Sequence, residues 1–387
     1  MPDLNFAAPV EVVSTGSPHD GLDQPEPGIA LCLSGGGYRA MLFHLGALWR
    51  LAELGYLPKL SRVSSVSGGS ITAAVLGHRW ATLGFDANGV PAHFVPQVVA
   101  PIRDLAGATI DRAAIIGGIL TPGSVADKVV DAYRTHLFGA ATLQDLPAGS
   151  PRFVINATNV QSGALFRFSR PYIADYRLGV IRNPSVEIAV AVAASSAFPP
   201  VLSPLRLKFP ESAWTSSGQP GEDLHRSPFL TDVVLTDGGV YDNLGLETAW
   251  KRYDTILVSN GGGKMAAEEA AESDWARHAI RINEVIDNQV RSLRSRQVIG
   301  SFVRKERKGT YWAVRTNIAD YARPDALPCP LERTTELAQV KTRLKQMDAA
   351  LQERLINWGY AVCDAAMRTH VVPAAPKPGV FPYPRGV

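Results

Sequence analysis

The spacing of apolar positions changes several times along the chain, and each change predicts an element. Gly28–Ser34, GIALCLS, is an almost unbroken apolar run and predicts a buried strand. Past Gly35-Gly36-Gly37, the residues Met41, Leu45, Leu48, Trp49 and Ala52 recur at the spacing of one helix face. Gly55 then suits the residue just after a helix end, and Pro58 forbids continuation. KLSRVSSV, residues 59–66, predicts a second strand, and Ser70–Val75 opens a second helix. Further strands are expected at Phe153–Ala157 and Thr255–Val258. Strands alternating with helices predict an α/β fold, with a mostly parallel central sheet covered by helices on both faces.

Outside these elements the pattern is looser. Residues 1–27 are rich in Pro, Gly and Asp and predict a loose leader. The stretch 80–150 mixes helix and loop signals and is long enough to cap the sheet. Residues 205–230 read as a surface excursion. From residue 266 the chain turns helical and charged. Leu337, Val340, Leu344, Met347, Leu351, Leu355 and Trp358 predict one apolar helix face. The expected division is a principal domain over 28–265, a helical C-terminal extension over 266–370 docked on it, and a Pro-rich tail over 371–387.

Composition narrows the picture. The 387 residues are 46% apolar and 19% charged, enough for a sizeable core. A net charge of +3 gives no case for nucleic acid. The three cysteines, Cys32, Cys329 and Cys363, are far apart and match neither a disulfide framework nor a metal-ligand spacing. The N-terminus lacks the basic start and apolar run of a signal peptide, and no stretch reaches membrane-spanning length. A cytoplasmic protein is expected, with peripheral attachment at the inner membrane surface left open. No cofactor and no metal is expected.

Three short segments carry candidate chemistry. Ser34–Ala40, SGGGYRA, joins a strand to a helix, and its glycines leave N–H groups bare at a helix start. Such groups favour an anion or the oxyanion of an acyl-transfer intermediate; the same glycines would also serve a tight turn. Ser65–Gly69, SVSGG, is close to the G-x-S-x-G nucleophile elbow, with Ser65 in place of the first glycine. A serine-glycine junction of this kind is also found as plain structure. Leu235–Asn243, LTDGGVYDN, delivers Asp237 to a strand end and turns sharply at Gly238-Gly239. Taken alone, an Asp-Gly turn is only a turn.

The three segments in this order resemble the patatin-like phospholipase family. FVINATNVQSGALFRFS, residues 153–169, resembles the family's central strand and hairpin, and AVAASSAFPPVLSPL its small-residue segment. The resemblance spans roughly residues 28–265. It implies a three-layer patatin-like fold and a Ser–Asp dyad, with Ser67 as nucleophile and Asp237 as its base. The N–H groups of Gly35, Gly36, Gly37 and Gly68 would form the oxyanion hole. Arg39 would steady the glycine loop or meet a lipid phosphate, and Asn243 could hold Asp237. The implied reaction is hydrolysis of acyl esters of phospholipids or neutral lipids, without calcium at the dyad.

Three other readings stay open on the residues. GGGYRA fits a dinucleotide fingerprint, but the next strand ends at Val66-Ser67 without the acidic residue that the ribose requires. Ser67, Asp237 and His278 stand in the order of a Ser-His-Asp hydrolase, although DWARHAIRI reads as a charged surface helix. His44, among Met41 and Leu48, reads as a packed core histidine. A non-catalytic scaffold with the same fold is the third. Two weaker signals are Ser259–Met265, SNGGGKM, a connecting loop that could bind an anion, and the basic segment Arg291–Lys308. The latter is either a solvated helix face or a contact for anionic headgroups.

Overall fold

The computed structural model describes residues 25–110, 125–218, 220–265, 267–269 and 274–387. Most of the leader expected over residues 1–27 lies outside the described residues.

The central sheet has ten strands among the described residues. Its parallel block runs β10 (Lys308–Ala313), β9 (Tyr253–Asn260), β1 (Glu26–Leu33), β2 (Arg62–Val66), β3 (Arg152–Asn159). Beyond β3 the sheet turns antiparallel through β4 (Ala164–Phe168), β5 (Tyr172–Asp175) and β6 (Gly179–Arg182). A further pair, β7 (Leu205–Lys208) and β8 (Asp232–Asp237), joins through β8 to β3. The parallel strands are buried on both faces, which explains their unbroken apolar sequences.

The helices over the parallel block are α1 (Gly37–Glu53) and α2 (Gly68–Arg79). α1 ends as expected, with Gly55 at φ 58°. It is buried nearly all round rather than on one face, because a C-terminal helix covers its other side. Smaller helices follow: α3 (Ala100–Ala106), α4 (Val125–Tyr133), α5 (Ile188–Ser195), α6 (Gly239–Asp242) and α7 (Glu247–Trp250). The chain then forms the long α8 (Trp275–Val303), β10, α9 (Leu331–Gln339) and α10 (Ala349–His370).

The C-terminal region departs from expectation in two ways. It is not purely helical, since β10 pairs in parallel with β9 and extends the sheet. The apolar spacing over 331–358 is also not one helix. α9 stops at Gln339, residues 340–348 form an irregular strap, and Asp348 caps α10 by accepting the Leu351 N–H. Leu344 and Met347 keep the spacing because both are buried from the strap.

α10 belongs to the core. Gly46 on α1 and Gly359 on α10 let the two backbones meet. A Cβ on Gly46 would lie 1.9 Å from the Ile356 carbonyl oxygen, and one on Gly359 1.8 Å from that of Phe43. Asp364 on α10 sits between the buried guanidiniums of Arg50 and Arg368, at 2.9 and 2.7 Å.

Candidate active site

Three strands share β3, and their registers determine where the site forms. β4 pairs with Ile155–Asn159 on one edge of β3. β2 pairs with Arg152–Asn156, and β8 with Ala157–Asn159, so both must use the other edge. β2 runs parallel to β3 and ends at Val66, opposite Asn156. β8 runs antiparallel and ends at Asp237, opposite Ala157. The two strands therefore run toward each other end to end, and Ser67 and Asp237 meet at the junction. Gly238 fits that junction, because a Cβ there would lie 2.2 Å from the Asn156 carbonyl oxygen.

Ser67 has φ 51° and ψ −120°, a conformation a non-glycine residue adopts only when its surroundings enforce it. The enforcement comes from beneath. Ser195 Oγ, at the end of α5, accepts the Ser67 N–H at 2.9 Å and donates to the Asn156 carbonyl at 2.6 Å. Ser70 Oγ lies 2.9 Å from Ser195 Oγ and donates to Ser65 Oγ at 3.1 Å. Ser65 in turn donates to the Val154 carbonyl at 3.3 Å. The serine that replaces the elbow's first glycine is thus fully buried and bonded. Ser195 was not among the expected site residues. A small polar residue in an alanine-rich helix, AVAAS, was the only signal for it.

Asp237 is buried. Its Oδ1 accepts the Gly239 N–H at 2.7 Å, while Oδ2 has no well-formed partner. Burial pushes its carboxyl up to about 7, against the lowering pull of the Gly239 N–H and the nearby Ser67 hydroxyl. The negative charge of Asp287, on α8, adds to the rise. The expected hold of Asn243 on Asp237 is not formed; Asn243 Nδ2 donates to Asp287 Oδ1 at 3.4 Å instead.

The glycine loop lies against the elbow. A Cβ on Gly35 would be 3.2 Å from Ser67 Cβ and 2.3 Å from Asn243 Oδ1. Gly36 and Gly37 have φ of 143° and 59°, values that L side chains rarely adopt. The loop corrects one expectation: the Gly35 N–H donates to the Asn243 carbonyl at 3.0 Å and is not free for an oxyanion. The N–H groups of Gly36, Gly37 and Gly68 have no partner among the described residues. A Cβ on Gly68 would sit 2.2 Å from the Gly37 carbonyl oxygen, so loop and elbow touch backbone to backbone.

Arg39 is enclosed. Its Nε donates to the Gly261 carbonyl at 2.9 Å, one terminal nitrogen to the Val340 carbonyl, and the other to Thr342 Oγ1 at 2.9 Å. Of its two expected roles, loop support fits this geometry and contact with a phosphate does not. SNGGGKM is the loop that Arg39 grips.

His278 is exposed near the start of α8, and the charge environment of Asp237 contains no histidine. His44 is a core residue as expected, with Nδ1 2.8 Å from Ser259 Oγ and Nε2 2.9 Å from the Ser34 carbonyl oxygen. Burial lowers its pKa to about 4. The basic segment Arg291–Lys308 is partly neutralised: Arg291 is buried beside Asp287, Arg294 pairs with Glu247, Arg304 with Glu306, and Lys308 with Asp254, while Arg296 and Lys305 are exposed and make no ion pair with a described residue. Among the described residues, no helix is long and apolar enough to cross a membrane, and no His, Cys, Asp or Glu cluster could hold a metal.

A search of curated sequences finds no match. Among solved structures, human GIVD cytosolic phospholipase A2 is 14% identical with a TM-score of 0.47, matched over 88% of this chain. This chain spans 62% of that enzyme's length. VipD from Legionella pneumophila is 18% identical with a TM-score of 0.31, over 82% of this chain and 66% of its own. The sequence profile of patatin-like phospholipases matches residues 31–250, more than half of the chain. The chain belongs to the patatin-like phospholipase family.

Proposed function

We propose that the protein is a serine lipid acyl hydrolase working through a Ser67–Asp237 dyad and an acyl-enzyme. Ser67 Oγ attacks the acyl carbonyl of a lipid ester, and Asp237 takes the hydroxyl proton. The Gly36, Gly37 and Gly68 N–H groups hold the resulting oxyanion. Collapse expels the lipid alcohol, which recovers the proton from Asp237. Water, deprotonated by Asp237, then attacks the acyl-enzyme; Asp237 returns that proton to the departing Ser67 Oγ, and the fatty acid is released. The observation that carries this reading is the end-to-end meeting of β2 and β8 at Ser67 and Asp237. A carboxyl raised to about 7 suits it, because a base is most useful when its pKa lies near the working pH.

A fluorophosphonate probe tests the nucleophile. Labelling of wild type that is absent in folded Ser67→Ala is the expected result. His278→Ala separates the dyad from a triad. An inactive His278→Ala that is folded would discard the dyad.

A further inference from the structure

Arg39 is the cation nearest the glycine loop, yet all three of its nitrogens are bound to protein oxygens. A phosphate-bearing ester placed at Ser67 would need its anion met by another group. The strap over residues 340–348 supplies candidates. Its Val340 carbonyl and Thr342 hydroxyl are held by Arg39, and the Arg343 carbonyl accepts the Tyr38 N–H at 3.0 Å. A Cβ on Gly37 would lie 2.7 Å from that Arg343 oxygen, so the strap rests directly on the proposed oxyanion loop. Downstream it is fixed again, with the Ile110 N–H on the Leu344 carbonyl and the Met347 N–H on the Ala106 carbonyl, both at 2.9 Å.

Between these anchors stand Lys341, Arg343 and Lys345, all exposed. None makes an ion pair with a described residue, and residues 340–347 contain no acidic side chain. The cations of α8 are largely neutralised by carboxylates; those of the strap are not. Glycerophospholipids carry the phosphate only a few bonds from the cleaved ester. A cation on the lip of the oxyanion loop is therefore within reach of it.

We propose that Lys341, Arg343 and Lys345 form an anion-binding lip that selects phosphate-bearing esters over uncharged ones. The proposal rests on the acyl hydrolase reading above. Headgroup phosphate and free phosphate share this chemistry, and the test separates them. Full-length wild type and the triple variant Lys341→Gln/Arg343→Gln/Lys345→Gln are assayed on monomeric dihexanoyl phosphatidic acid, on dihexanoyl glycerol, and on phosphatidic acid in vesicles. The triple variant Lys59→Gln/Lys208→Gln/Lys377→Gln, at exposed positions outside the strap, controls for loss of net charge.

The expected result is a rise of about 10-fold in KM for monomeric phosphatidic acid relative to dihexanoyl glycerol, from a few-fold per basic residue near an anion. Inorganic phosphate should compete with phosphatidic acid in wild type and not in the variant. An equal loss on both monomeric substrates would make the strap merely structural and overturn the proposal. A loss seen only with vesicles would mean that the cations read a charged surface, and would overturn it too. Should wild type hydrolyse no ester, the hydrolase reading fails separately. The lip is then judged by calorimetric binding of inorganic phosphate, which the triple variant must weaken.

Discussion

Burial of a carboxylate with one unpartnered oxygen disfavours its charged form, and Asp237 is held in that state at the end of β8. Two outcomes follow at the level of this residue. As base, Asp237 must be ionised, so kcat/KM should fall as pH drops through about 7. A pH profile flat from 5 to 9 would contradict that role. Its folded-state pKa is raised above the unfolded value, so its contribution to stability is fully present below about 4 and is lost as pH rises through about 7. Asp237→Asn should therefore be inactive yet melt higher than wild type at pH 8, with the gain vanishing near pH 4. Melting curves at the two pH values measure this. Ser195→Ala should act from below, leaving the Ser67 N–H without its acceptor and costing roughly 1–3 kcal/mol. Turnover should fall with it, because the strained elbow loses its support. The meeting of Ser67 and Asp237 was legible because the sharp turns that place them need small neighbours, visible as Gly68-Gly69 and Gly238-Gly239. Ser195 was not, since nothing in AVAAS reveals that one serine points at another segment's backbone.

Among elements, the junction of α1 and α10 sets the tolerance of the fold. Gly46→Ala would place a methyl 1.9 Å from the Ile356 carbonyl oxygen, backbone that cannot swing aside. A loss of roughly 1–3 kcal/mol is expected from such overpacking, read by urea unfolding. Gly139→Ala serves as a comparison: a Cβ there meets nothing within 4 Å, although its φ of 55° carries a strain of its own. β1, α1, β2 and α2 were readable from sequence because each has an unmixed period and glycine boundaries. The segment 331–358 misled for a physical reason. Leu344 and Met347 are buried at helical spacing while the backbone just before them, at Val340 and Arg343, is bound to Arg39 and Tyr38, contacts made across about 300 residues. β10 escaped notice because KGTYWA is short and follows a long charged helix.

Across the whole molecule, the glycine loop is clamped by parts of the chain distant in sequence. Arg39 ties α1 to Gly261 and to the strap at once. Arg39→Met should leave the buried Gly261 and half-buried Val340 carbonyls without their donor and free the strap. Limited proteolysis should then cut within residues 340–348 faster than in wild type, and turnover should fall without any contact between Arg39 and substrate. Unchanged cleavage there would argue that the strap is held by Leu344 and Met347 alone. Four of the five parallel strands, β1, β2, β3 and β9, could be anticipated from sequence. The antiparallel wing and the strap could not, because pairing of β8 with β3 and docking of residues 340–347 are long-range choices that leave no local period.

The end-to-end meeting of β2 and β8 also bears on when the proposed activity would arise during synthesis. Ser67, the proposed nucleophile, emerges from the ribosome early, but its proposed base is missing until Asp237 has been made and β8 has taken its place on β3. The oxyanion loop gains its clamp later still, once residues 340–347 and α10 arrive. A nascent chain is thus expected to carry a silent serine through most of translation, and ester hydrolysis begins only when its C-terminal third has docked.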